Sequence, residues 1–424
     1  MTPNSTSNKA VNPNEYLNIP VWVNGEYFEK ILEADEPNFK KIISFTPIAA
    51  TAPGENYTSV MVRVFMDIEL KDGSTTQTSY ILKTVLEAGN QGAAMVEAMN
   101  LFPKEKLMYQ KILPDYVELY KAAGMDIQLG PKCLHVEETP ERITLVMEDL
   151  QRQNFSNIDR LNGLDMPHIT RVLQKLAEIH AASAVYAELN GPFNEMFHQH
   201  FYTEKNRELF KAMSESREVA YKNAMRTWGL DDVEDCIAKL PSTKENFDES
   251  LRMYTFDPNE FNVLNHGDCW SNNIMFNYKE NGEIDQTLFV DFQVGKWGSP
   301  TQDLWYLITS SVSLDIKIKE FDHFIYIYHK RLVECLKMLK YSKPIPSLKQ
   351  LHMLMLKYGF WGPLTAMGVL VVIIYPSDKE ANIENMLKMG PEGDDFRRKT
   401  FMNPIYAKAM CQLYPFFVNK GILA

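Results

Sequence analysis

Val263-Leu264-Asn265-His266-Gly267-Asp268-Cys269-Trp270-Ser271-Asn272-Asn273-Ile274-Met275-Phe276 is the stretch whose reading decides the fold. An aspartate, four intervening residues and an asparagine that opens a β-rich run form the pattern that phosphoryl transfer needs. The Asp268 carboxylate can take a proton from an attacking hydroxyl, and the Asn273 amide oxygen can reach magnesium on the phosphates. The run continues to Tyr278, turns at Lys279-Glu280-Asn281-Gly282 and returns as Gln286-Thr287-Leu288-Phe289-Val290-Asp291, a hairpin signal. Asp291 closes the return strand with a second carboxylate. Magnesium takes few carboxylates and completes its shell with phosphate oxygens and water, so Asn273 and Asp291 are the candidate metal holders. Each fragment has a bland reading, HGD as a turn and VDF as a strand end. The functional reading rests on the two acids lying at the two ends of one hairpin.

Upstream the period is mostly two. Ile42–Ala50 and Ser59–Leu70 read as strands, Lys71-Asp72-Gly73-Ser74 as a turn, and Thr78–Val85 as the next antiparallel strand. Leu101–Leu113 reads as a helix and Arg142–Met147 as a further strand. Beyond Leu150 the pattern turns helical, with Ile169, Val172, Leu173, Leu176 and Ile179 on one buried face. Asn194–Trp228 reads as a charged surface excursion, and Phe360–Tyr375 as a buried helix too short to span a bilayer. The expected fold is α+β and two-lobed, a small antiparallel-sheet lobe followed by a larger, mainly helical one. Its expected parts are a disordered polar tail over 1–14, a nucleotide-binding lobe over 15–150 and a catalytic and acceptor-binding lobe over 151–424.

The 424 residues carry 44 basic and 55 acidic side chains, 44 − 55 = −11, which argues against nucleic acid or an anionic membrane surface as partner. The five cysteines, Cys133, Cys236, Cys269, Cys335 and Cys411, form no CxxC pair and suit free thiols in a reducing, cytoplasmic setting.

The HGDxxxxN and VDF pieces resemble the kinase-like fold of aminoglycoside phosphotransferases and choline kinases. With Phe289-Val290-Asp291-Phe292-Gln293, Gly298-Ser299-Pro300-Thr301-Gln302-Asp303-Leu304, Pro53-Gly54-Glu55-Asn56-Tyr57, Glu148-Asp149-Leu150 and Leu176-Ala177-Glu178-Ile179-His180-Ala181, the chain resembles the ecdysteroid kinase-like family known chiefly from insects. The resemblance implies that Lys83 contacts the nucleotide phosphates and that Glu105 orients it through an ion pair. It implies a phosphate-covering loop from Gly54 to Ser59, helped by Asn56 and Ser59, although no GxGxxG stands there. It makes Met147–Leu150 the hinge, with backbone groups of Glu148 and Leu150 near adenine. Asp303 and His266 become supports of the catalytic loop. The implied cofactors are ATP and Mg2+, and the implied acceptor is a small hydroxylated, fairly apolar compound such as an ecdysteroid or processed xenobiotic.

Rival readings are a pseudokinase-like protein that binds a metabolite without turnover, and a protein kinase. The joint presence of Lys83, Glu105, Asp268, Asn273 and Asp291 weighs against the first. The absence of HRD, DFG and APE weighs against the second. His198-Gln199-His200 lacks a carboxylate or cysteine at metal-ligand spacing and reads as surface histidines. Cys269 reads as a buried loop thiol. Trp297, Trp305, Tyr358, Phe360 and Trp361 read as core, with an acceptor pocket as the alternative.

Overall fold

The computed structural model describes residues 19–51, 59–85, 99–140, 142–376, 388 and 390–423. The polar tail and the Gly54 and Asn56 positions lie outside them. Strands β1 (Phe39–Ala49), β2 (Val60–Leu70), β3 (Thr75–Thr84), β4 (Cys133–Glu138) and β5 (Ile143–Glu148) form a five-stranded antiparallel sheet in the order β1-β2-β3-β5-β4. Alternation along β2 buries Val60, Val62, Val64, Met66 and Ile68. They pack on Phe28, Ile31 and Leu32 of helix α1 (Gly25–Asp35), whose first turn is capped by the Asn24 side chain accepting from the Tyr27 N–H. The opposite face presents Met61, Arg63, Ile81 and Lys83 to a cleft between the lobes. Helix α1 and strand β4 were not foreseen in the sequence.

The helix expected over Leu101–Leu113 is longer. It runs as α2 (Leu101–Leu107), a π-helical turn over Met108–Ile112, and α3 (Leu113–Ala122). In the second lobe α4 (Met166–Asn190) buries the predicted face. Next come α5 (Arg207–Met225), α6 (Thr243–Tyr254), the pair β6 (Val263–Asn265) with β9 (Lys296–Gly298), and the hairpin β7 (Ile274–Tyr278) with β8 (Ile284–Phe289). Helices α7 (Thr301–Ser311) and α8 (Phe321–Met338) follow, and α8 packs along α4. The stretch expected as one buried helix is a broken one: Trp361–Thr365, a π-helical turn over Ala366–Leu370, and Val371–Ile373. Among the described residues no single helix is long and apolar enough to cross a membrane; Leu348–Lys357 and Trp361–Ile373 meet that test only as a pair bent by 59°. All five cysteines are free.

Candidate active site

Period two on β3 turns Ile81 and Lys83 toward the cleft while Tyr80 and Leu82 enter the core behind the sheet. Lys83 is 1% exposed, and its Nζ stands 2.7 Å from a Glu105 carboxylate oxygen on α2 and 2.7 Å from Asp291 Oδ1 beyond β8. Burial pulls the ammonium down, yet Asp291 and Glu105 together outweigh it, so Lys83 holds its proton more tightly than a free lysine. One lysine cannot neutralise both acids, and burial pushes Glu105 up to about 7 against the pull of Lys83. Asp291 adopts φ 66°, a left-handed conformation that costs a non-glycine residue about 1 kcal/mol or more. That turn aims its carboxylate back over the hairpin at Lys83.

The loop between β6 and β7 is held from several sides. Asp303, fully buried on α7, accepts the His266 N–H at 2.6 Å and the Gly267 N–H at 2.9 Å, and it meets His180 Nε2 at 3.1 Å. Burial pushes this carboxyl up, but those partners hold it below its ordinary value. His266 Nε2 lies 2.9 Å from the Val290 carbonyl, and Nδ1 accepts from the Asp268 N–H at 3.3 Å, the pattern of a neutral ring. Burial lowers its pKa, in keeping with that state. Gly267 sits at φ +84°, where a Cβ would lie 2.4 Å from the Val294 carbonyl oxygen, so only glycine fits there. The Asn157 side chain donates to the Asn272 and Ile274 carbonyls at 2.8 and 2.9 Å and fixes the far end.

Asp268 is not itself among the residues lining the cleft; it is joined to one that is, Asn273. Asn273 Nδ2 donates to Asp268 Oδ2 at 3.0 Å and to its carbonyl at 2.9 Å, and the Tyr306 hydroxyl donates to Oδ1. The side chain keeps some contact with solvent, but burial among protein groups pushes its pKa up to about 7. The Tyr306 and Asn273 hydrogen bonds pull against that rise, and Asp291 and Asp303 add to it. Because Asn273 uses its amide N–H on Asp268, its Oδ1 is left for another partner. Asn273 and Asp291 line the same cleft and offer an all-oxygen donor set. Among the described residues no cluster of three or more His, Cys, Asp or Glu side chains could hold a metal alone. Two protein oxygens completed by phosphate and water suit magnesium, so these residues fit the ion.

The cleft measures about 450 Å³, and its lining includes apolar Ile81, Met147, Leu150 and Val290 and polar Lys83, Glu105, Asn273 and Asp291. Leu150 thus lines the cleft. Glu148 also lines it, but its carboxylate accepts from Gln128, Gln153 and the Lys132 N–H, and its own N–H donates to the Lys132 carbonyl. Ser59 is buried at the head of β2 and is not among the lining residues. His200 departs from the surface reading: it stacks on Tyr254 at 4.5 Å, and burial with nearby Lys296 and Lys104 lowers it to about 4. Trp305, Tyr358 and Trp361 are buried as core, and Cys269 is a buried loop thiol. Sequence reasoning missed Asn157 and Tyr306. The spacing of Tyr306 three residues after Asp303 on one helix was the available signal for the latter.

A family model described as the ecdysteroid kinase-like family matches residues 53–341. The chain belongs to that family. The helices after 341 lie beyond the match. No curated protein matches the sequence. Among solved structures, an ethanolamine kinase from Plasmodium vivax is similar at 11% identity over 86% of this chain and 84% of that one, with TM-score 0.38. An aminoglycoside phosphotransferase from Streptomyces rimosus, solved with ADP and streptomycin, is similar at 13% identity over 75% and 98%, with TM-score 0.32. Membership makes this ecdysteroid kinase-like protein small-molecule kinase-like in function.

Proposed function

We propose that this protein is an ATP-dependent O-kinase that moves the γ-phosphate to the hydroxyl of a small, mainly apolar acceptor, an ecdysteroid or a hydroxylated xenobiotic. The observation that carries the reading is convergence on one cleft: Lys83 held between Glu105 and Asp291, with Asp268 tied to Asn273. Lys83 binds phosphate oxygens of the nucleotide, and Glu105 fixes its position. Asn273 Oδ1 and Asp291 would hold magnesium, which would supply positive charge against the phosphate oxygens. Asp268 accepts the acceptor's hydroxyl proton as that oxygen bonds to the γ-phosphorus. The bond from the γ-phosphorus to the β–γ bridging oxygen breaks, and ADP leaves with the electron pair. A base poised near 7 suits this work at neutral pH. Asp303 and His266 position the loop, and Leu150 with Ile81 and Met147 offers the base an apolar slot. The acceptor class rests on family membership.

The test is ADP release by purified protein with magnesium and ATP over a panel of hydroxysteroids and phenols. At least one acceptor is expected to stimulate release, and Asp268→Asn to lower turnover roughly 10²- to 10⁴-fold. If no acceptor stimulates release while both forms bind ATP, the reading fails and a binding protein without turnover takes its place.

A further inference from the structure

Away from the cleft, α5, α6 and the broken helix near residue 365 enclose a second cavity of about 80 Å³. Tyr202, Phe210, Tyr221, Leu240 and Leu364 contribute its apolar wall, and Arg217 lines it from α5. Arginine stays charged and offers five N–H donors. Here one nitrogen, Nη2, donates to the Met367 carbonyl at 2.9 Å, and among the described residues no carboxylate lies within 4.0 Å of the guanidinium. Glu218 and Lys222 line the same cavity, and the neighbouring acids are held by partners other than Arg217. Glu218 accepts from Lys222 and Thr243 at 2.5 Å each, and Asp394 accepts from Arg397 at 2.6 Å. Burial and the second cation, Arg397, both weigh against the Arg217 charge.

The backbone is shaped around this arginine. Met367 belongs to the π-helical turn over Ala366–Leu370, a form that concentrates at functional sites. Gly368 lies in the same turn, and a Cβ there would stand 3.2 Å from Arg217 Nη2, so a side chain would press on the guanidinium. The wall also leads toward the candidate base. Tyr202 stacks on Tyr254 at 5.4 Å, and Tyr254 meets Trp361 at 4.7 Å. Trp361 opens the short helix Trp361–Thr365, which packs on α7, and Tyr306 of α7 donates to Asp268.

We propose that this cavity binds the anionic end of a ring-bearing apolar acceptor, a carboxylate, sulfate or phosphate paired with Arg217. A water needs about 10–15 Å³ on this measure, so the cavity seats a head group and leaves the rings to lie along the tyrosine wall. The acceptor role rests on the O-kinase reading; the anion site itself does not. The preferred substrate is then a hydroxylated compound that already carries one negative group.

Isothermal titration without nucleotide tests it, using a hydroxysteroid sulfate and the same steroid lacking the sulfate. Wild type is expected to bind the sulfate at least tenfold more tightly. Arg217→Met removes that preference while the parent steroid still binds; Arg217→Lys keeps part of it, since lysine supplies charge without the planar fork. Leu364→Trp, which fills the cavity and leaves the charge, weakens the sulfate alone. Equal affinities in wild type, a preference surviving in Arg217→Met, or equal displacement of the probe by inorganic phosphate overturns the proposal. Turnover of the two steroids by wild type, measured beside binding, separates the two readings. Intact preference without turnover in wild type keeps the anion site and ends the O-kinase reading, and turnover without preference does the reverse.

Discussion

Lys83 and Lys104 are both 1% exposed, yet they sit in opposite electrostatic worlds. Lys83, on the cleft floor, has two carboxylates at 2.7 Å and holds its proton tightly. Lys104, next to Glu105 on α2, donates among the described residues only to the Gln199 carbonyl at 3.3 Å, and burial lowers it to about 8. Consecutive helix residues point about 100° apart, so one turn of α2 serves both regions. Behind the cleft Lys296 repeats the Lys104 case, lowered to about 8 by burial and then by Lys104. Equal burial with opposite shifts means that neighbours, not depth, decide whether a cation is fit to meet phosphate.

The strongest way to break this contrast is Lys83→Met. It leaves Glu105 and Asp291 facing each other with no cation, and removing one partner of a buried pair costs about 3–5 kcal/mol. Urea unfolding is expected to show that loss, and ATP binding to fall sharply. Adding Glu105→Gln recovers part of the stability and none of the ATP affinity. If Lys83→Met unfolds like wild type, the ion network is not a stabilising element and the contrast dissolves.

Lys104→Met probes the other side and has a smaller effect of opposite sign. A buried lysine lowered from 10.5 to about 8 destabilises the folded state most below pH 8, and the penalty fades as pH rises toward 10.5. Lys83 runs the other way: its raised value lends stability that is fully present below 10.5 and is lost as pH rises from there through the raised value. Lys104→Met is therefore expected to stabilise at pH 7 by about 1–3 kcal/mol and to flatten the stability curve between pH 8 and 10.5. Denaturation midpoints at pH 7 and 10 check it; a destabilised variant at pH 7 would show that the Gln199 contact outweighs the buried charge.

The same contrast explains what was legible in the sequence. Asp268, Asn273 and Asp291 could be read because one loop and one hairpin hold them, so spacing encodes their geometry. The strands around Lys83 were legible for a similar reason, since β2 alternates over its full length. Strand β4 was hidden: Cys133–Glu138 buries no residue fully, so its burial follows no period of two. Arg217 and Tyr306 were hidden for another reason. Each acquires meaning through a residue far along the chain, Met367 for one and Asp268 for the other, and no local pattern records such a meeting. Gly54 and Asn56 lie outside the described residues, so the phosphate-loop expectation stands as it was.

Asp268 adds a half-buried anion to the two lysines and gives the finest prediction. Burial raises it to about 7, and the donors Tyr306 and Asn273 hold it from rising further. Acting as a base, it must be ionised, so kcat/KM is expected to fall as pH drops below about 7. Tyr306→Phe removes a hydrogen bond to the charged form, worth about 1.5 kcal/mol or more, which moves the acid limb upward by about one pH unit. At pH 7 turnover drops several-fold, while at pH 9 the variant approaches wild type. A merely structural tyrosine would lower the whole profile without moving its midpoint. The displaced limb would show that donors tune the base as carboxylates tune Lys83, and an unmoved one would place the control of Asp268 in burial and its neighbouring acids alone.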